Sequence, residues 1–172
     1  MGEDVQEEAE NTLKKFNECE LCGHIQDKNI SIAPEDLKEF IRSILGARVF
    51  IKIYKLYDGE YKLAFKTLTA EESSRLSILL SKLSLEDLTE YEKQQIAIKI
   101  KLVYYTHSIC GETFSIPKTT VISEVLDKYD EMFKDENTVS LSVKTLIQFL
   151  TLQKLLIEEG YDANFWKSAG MR

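Results

Sequence analysis

Apolar and polar residues alternate most cleanly between Arg48 and Leu68, where two β-rich runs flank Asp58-Gly59. A two-residue type I′ turn prefers that dipeptide because both central positions need positive φ, so the segment predicts a β-hairpin over about 48–68. Pairing Tyr57 with Glu60 and stepping outward places Phe50, Tyr54, Leu56, Tyr61, Leu63 and Phe65 on one face, with Lys52 as the exception. Lys55, Lys62 and Lys66 fall on the other face.

Helical signals surround the hairpin. Thr69-Ala70-Glu71-Glu72 and Thr89-Glu90-Tyr91-Glu92 are capping boxes, and the first should open a helix that turns Leu76, Leu79, Leu80 and Leu83 inward. After the second box the pattern is divided: Ile96, Ile98, Ile100, Leu102 and Tyr104 alternate with period two, while the cap and the Gln, Lys and Ala content favour helix, which is the assignment adopted. Asn29 to Ala33 alternates and predicts a strand. Pro34 then suits a first helical position, Glu35 and Asp36 the first turn, and Leu37, Phe40, Ile41 and Ile44 one apolar face, with a stop at Gly46. Phe114 to Ile116 predicts a short strand, Val121 to Phe133 a helix, and Leu146 to Glu159 another helix, ended by Gly160. Val139-Ser140-Leu141 with Leu146 and Phe149 echoes Ile30-Ser31-Ile32 with Leu37 and Phe40, and Phe114-Ser115-Ile116 is a partial third copy; common strand and helix patterns account for such a match by chance. The expected class is α+β, mostly helical, with one hairpin.

A length of 172 residues with 44% apolar side chains suits a single domain over 1–172. Charge changes the picture at one end. Residues 1–20 hold seven acidic side chains against Lys14 and Lys15, so most of the formal charge of -7 lies there. Val5, Ala9, Leu13 and Phe16 recur at helical spacing, which predicts an amphipathic acidic helix over 1–18, frayed at its start, whose polar face either meets water or meets a basic partner. The acidic balance is the wrong sign for neutralising phosphates, so direct nucleic-acid binding is not expected. Lys and Glu interrupt every apolar run, and Met1 to Glu10 lack an apolar core, so neither a membrane span nor a secretory signal is expected and the cytoplasm is the predicted setting.

The chemistry-bearing residues concentrate in two copies of one pattern, ligand-x-x-ligand-Gly: Cys19-Glu20-Leu21-Cys22-Gly23 and His107-Ser108-Ile109-Cys110-Gly111. Together they use every cysteine in the chain. Two donors three residues apart in a tight turn can face one ion, and the trailing glycine supplies the positive φ that aims backbone N–H groups at thiolates. Cys19, Cys22, His107 and Cys110 would make a tetrahedral zinc site with no open position, hence structural and not catalytic, clamping the N-terminal segment to the middle of the chain. The same residues also admit unrelated free thiols with a hydrogen-bonded His107, or a redox dithiol at Cys19 and Cys22. His24 fits a surface or supporting role. The sequence lacks the phosphate-binding, nucleotide-binding, nucleophile-elbow and HExxH motifs, and with two histidines it offers few general bases, so no enzyme is expected.

After Gly160, the segment 160–172 carries Tyr161, Phe165 and Trp166, the last being the only tryptophan. These aromatics either fold back on the core or anchor the chain to another protein.

The run Leu88-Thr89-Glu90-Tyr91-Glu92 through Ile100, followed by His107-Ser108-Ile109-Cys110-Gly111-Glu112-Thr113-Phe114, resembles the middle of the baseplate hub assembly proteins of contractile-tailed phages. Some of these carry a Cys-x-x-Cys-Gly knuckle before a short strand. The resemblance covers about a third of the chain. This sequence departs from the pattern by placing His107 where a cysteine would stand and by carrying another knuckle near its N-terminus. The resemblance implies a non-enzymatic factor, a chaperone of tail or baseplate assembly that contacts baseplate or tail components in the host cytoplasm or stays with the virion. In that family setting Cys19, Cys22, His107 and Cys110 carry over as structural ligands. The other reading is a zinc-ribbon regulator of nucleic acid or a polymerase, for which the hairpin lysines would be the patch.

Overall fold

A computed structural model describes residues 32–160, and their elements run α1 (Pro34–Leu45), β1 (Ile51–Leu56), β2 (Tyr61–Lys66), α2 (Ala70–Ser84), α3 (Glu90–Tyr105), β3 (Thr106–Ile109), β4 (Glu112–Thr113), α4 (Ile122–Met132) and α5 (Glu136–Gly160). The class is α+β. The strands form one antiparallel sheet in the order β1-β2-β3-β4, so each strand lies beside its neighbour in sequence. No helix among the described residues is long and apolar enough to cross a membrane.

The first hairpin keeps the register its turn demands, with Leu56 opposite Tyr61 and Ile51 opposite Lys66. Asp58 and Gly59 take φ of 54° and 92°, and the Glu60 N–H donates to the Tyr57 carbonyl at 3.1 Å, which closes the type I′ turn. Tyr57 is also left-handed, at φ 50°, so the ladder stops one pair short of the turn. Lys52 on the apolar face has a reason: its Nζ donates to both Asp36 carboxylate oxygens, at 2.7 and 2.6 Å, tying the edge strand to the first turn of α1. An inward lysine on an edge strand also discourages pairing with foreign strands. Beside it, burial first and the Asp36 charge second push the Tyr54 hydroxyl well above its ordinary pKa.

Both capping boxes are formed. Thr69 Oγ1 accepts from the Glu72 N–H at 3.2 Å while Glu72 Oε2 accepts from the Thr69 N–H at 2.9 Å, and Thr89 with Glu92 repeats the exchange. Each cap is worth about 0.5–2 kcal/mol. Glu72 does more than cap, because its other oxygen accepts from Lys66 Nζ at 2.7 Å and so ties the end of β2 to the start of α2. Burial alone would raise this carboxyl; the bonds from Lys66 and Thr69 outweigh it and hold Glu72 below its usual range.

The core lies between the sheet and the helices. Phe149 of α5 stacks on Phe50 and Phe65, at centroid distances of 6.5 and 5.8 Å, and Phe40 of α1 meets Phe50 edge-on at 5.7 Å. The segment with divided periodicity is helix α3, which contacts α2, α4 and α5. Ile100, Leu102, Val103 and Tyr104 on its different sides are all buried, so it has no single wet face to give a clean helical period.

Several expected elements differ. Ile32 and Ala33 are not strand, and Asn29 to Ser31 lie outside the described residues. Phe114 to Ile116 is irregular, because β4 pairs two residues earlier at Glu112 and Thr113. Val139 to Leu141 belongs to α5, which starts ten residues before the expected Leu146 because Asp135 Oδ2 accepts from the Thr138 N–H and acts as an N-cap. The echo among the three segments therefore does not correspond to a repeated strand-helix unit. Ile44, expected on the inward face of α1, is 58% exposed.

Candidate functional site

The second hairpin turns on Cys110-Gly111. Ile109 pairs with Glu112 across it, and Cys110 and Gly111 take φ of 49° and 90°, the same two-residue left-handed geometry as Asp58-Gly59. The Phe114 N–H donates to the His107 carbonyl at 3.1 Å, and the Cys110 N–H donates to the Lys62 carbonyl at 2.7 Å, which anchors the tip on β2. The expected tight turn spanning His107 to Cys110 is thus replaced by a strand that runs to Ile109 and a turn centred on the thiol and the glycine. The cause is register: pairing Ile109 with Glu112 leaves two residues to reverse the chain, and Gly111 takes the second position. His107 is half-buried in β3 and Cys110 is exposed at the tip.

Gly111 does adopt the positive φ that the ligand-x-x-ligand-Gly pattern requires. Cysteine is an unusual choice for the first turn position, where Asn, Asp or Gly adopts left-handed backbone at lower cost. The structure places His107 within strand β3 and Cys110 at the hairpin turn; Cys19 and Cys22 lie outside the described residues, as do Tyr161, Phe165 and Trp166. Among the described residues no group of three or more His, Cys, Asp or Glu is placed to hold a metal ion. Three thiols and one imidazole are donors that zinc accepts, and of the four expected ligands His107 and Cys110 are among the described residues.

The lysine patch is smaller than the sequence suggests. Lys55 and Lys62 face each other directly across β1 and β2, both exposed, whereas Lys66 is engaged by Glu72. Two lysines in a cross-strand pair offer little grip on a phosphate backbone.

A second region was not visible in the sequence. Between α1 and the C-terminal half of α5 the surface opens into a groove of about 620 Å³. Phe40, Ile41 and Ile44 of α1 form one wall, Ile157 of α5 the other, and Phe50 and Leu68 the floor between them. Its two hydroxyls are committed elsewhere: Ser43 Oγ donates to the Glu39 carbonyl at 2.8 Å, and Thr67 Oγ1 accepts from the Phe50 N–H at 2.9 Å. Arg48 and Gln153 lie along the edge. Among the described residues, no carboxylate or imidazole lines it. The site is therefore suited to taking up apolar side chains. Its residues come from three separate stretches of chain, and only the exposure of Ile44 against its expected burial marks it.

No protein-family model, characterised protein or solved structure matches this chain.

Proposed function

We propose that this chain is a non-enzymatic protein-interaction or assembly factor whose described interaction surface is the α1–α5 groove. The observation that carries the reading is the groove's chemistry: an apolar concavity whose hydroxyls are already hydrogen-bonded, flanked by Ile44 at 58%, Leu45 at 62% and Ile157 at 40% exposure. Apolar concavities with few polar groups recognise side chains by burial and shape. The partner is a protein that inserts apolar residues, and baseplate or tail components of a contractile-tailed phage are the candidates that the resemblance around His107 to Phe114 supplies. Tyr161, Phe165 and Trp166 would act as further contact residues.

A structural zinc belongs to the same proposal. Cys19, Cys22, His107 and Cys110 would ligate it, with Gly111 shaping one half, and the ion would supply folding free energy and no chemistry.

A photo-crosslinking side chain placed at Ile44, and as a control at exposed Glu86, tests the interaction in the cells where the protein is made. Adducts of one defined mass from position 44 and none from position 86 support the reading. The absence of any adduct at position 44 in cells that assemble the protein's products would overturn it.

A further inference from the structure

We propose that the α1–α5 groove is a small-molecule site for a medium-chain aliphatic carboxylate, with the hydrocarbon tail between the helices and the carboxylate on Arg48. This goes beyond the interaction reading, which needs only the apolar walls; here a cation at their edge defines the ligand.

The dimensions favour a narrow chain. The α1 wall runs from Phe40 to Ile44 and the α5 wall from Gln153 to Ile157, each about 6 Å along its helix. A docked helix presents anchors from i to i+7, about 10 Å, and overruns both walls. A single hydrocarbon chain can enter end-on, toward the floor at Phe50 and Leu68. The volume of about 620 Å³ falls within the range of ligand sites, about 300–1,000 Å³.

The polar groups define the head. The Ser43 and Thr67 hydroxyls are bonded to the backbone, so the interior offers a ligand few polar partners. Arg48 is exposed at the edge, and its own backbone holds it there: its N–H donates to the Ser43 carbonyl at 2.8 Å. Its Cγ and Cδ lie over the last turn of α1, each 3.7 Å from the point that a Cβ on Gly46 would occupy. Among the described residues Arg48 makes no ion pair, and no carboxylate lines the groove to neutralise it. A guanidinium offers a carboxylate two parallel N–H donors, and the Gln153 amide adds a donor on the α5 side of the same edge. A neutral or cationic head would leave the Arg48 charge unanswered.

The test titrates the isotope-labelled full chain with sodium decanoate, with decanol as the neutral counterpart and sodium octanoate as the shorter acid, and follows amide chemical shifts. Decanoate shifts should saturate at one ligand per chain and be largest at residues 40–48, 67–68 and 153–157. Decanoate should bind about tenfold more tightly than octanoate, since each methylene taken from water is worth about fourfold in affinity. With far-UV circular dichroism confirming an unchanged helix signal, Arg48→Gln should weaken decanoate at least tenfold and leave decanol within twofold. Arg48→Lys, which keeps the charge without the paired donors, should fall between. Ile44→Asp should weaken both ligands, and Arg42→Gln, at an exposed α1 cation outside the lining, should change neither. Decanol bound as tightly as decanoate by the wild type, or decanoate held unchanged by Arg48→Gln, would overturn the proposal and leave the docking of a protein partner standing. So would the absence of saturable shifts with decanoate, or shifts centred away from the groove. Crosslinks from position 44 read the partner separately, so the two proposals can fail independently.

Discussion

Among the described residues, the hairpin tip at Cys110-Gly111 and the groove between α1 and α5 are two candidate sites, and they differ in nearly every respect. The tip is local, polar and exposed, built from eight consecutive residues from His107 to Phe114. The groove is assembled from residues 40–50, 67–68 and 153–157, is apolar, and has its floor in the core. Donor atoms can be read from a sequence because they are residue types at a spacing. Concavity cannot, because it depends on where three distant segments come to rest.

The comparison can be broken most severely at the groove floor. Phe50 is 2% exposed and packs against Phe40 and Phe149, so Phe50→Ala should cost about 3–5 kcal/mol in denaturant unfolding. A loss under about 1 kcal/mol would show that the groove floor is not part of the core. Glycine substitutions at the two turns come next. A Cβ at Gly59 or Gly111 would meet no atom within 4 Å, so the cost of Gly59→Ala and Gly111→Ala is backbone strain alone, about 1–3 kcal/mol each at φ of 92° and 90°. Calorimetric midpoints of the two variants should fall together; an excess loss at Gly111 would mean that its backbone N–H serves something beyond the turn.

A smaller effect separates both sites from the rest of the fold by pH. The Glu72 carboxyl lies below its usual range when folded, so the stability it contributes is fully present above the unfolded value of about 4.3 and is lost as pH falls through the folded value. Glu72→Gln should flatten that part of the acid limb in urea titrations and leave the slope between pH 5 and 7 unchanged. The smallest effect on stability is expected for Ile44→Asp, within about 0.5 kcal/mol, since the side chain is 58% exposed. A change of several kcal/mol would make position 44 structural and remove its use as a probe of the groove.

How far the fold was legible follows the range of the interactions involved. The Asp58-Gly59 turn and the boxes at Thr69 and Thr89 are read from adjacent residues, because their hydrogen bonds close within a few positions. α3 was assigned as helix against an alternating pattern, and the alternation has a tertiary cause: helices on several sides bury residues at spacings that a half-exposed helix would leave polar. The first ten residues of α5 were missed because Thr138, Val139, Ser140, Ser142 and Val143 are poor helix formers, although Asp135 three positions before Thr138 was an available start signal. Of the candidate site, the residue types of His107 and Cys110 are legible in the sequence, whereas the turn centred on Cys110 is not, since it depends on the register of β3 against β4.

Cys110 is where backbone physics and metal chemistry disagree most clearly. At the first position of a type I′ turn, asparagine is the better residue, so Cys110→Asn in a metal-free hairpin should raise stability by about 0.5–1 kcal/mol. As a zinc ligand, the same thiol should be indispensable. The decisive measurement is the zinc-to-protein ratio and thermal midpoint of the purified wild type beside Cys110→Asn. The account predicts about one zinc per chain, lost in the variant together with a lower midpoint despite the better turn residue. Metal-free wild type with a variant of higher midpoint would contradict it.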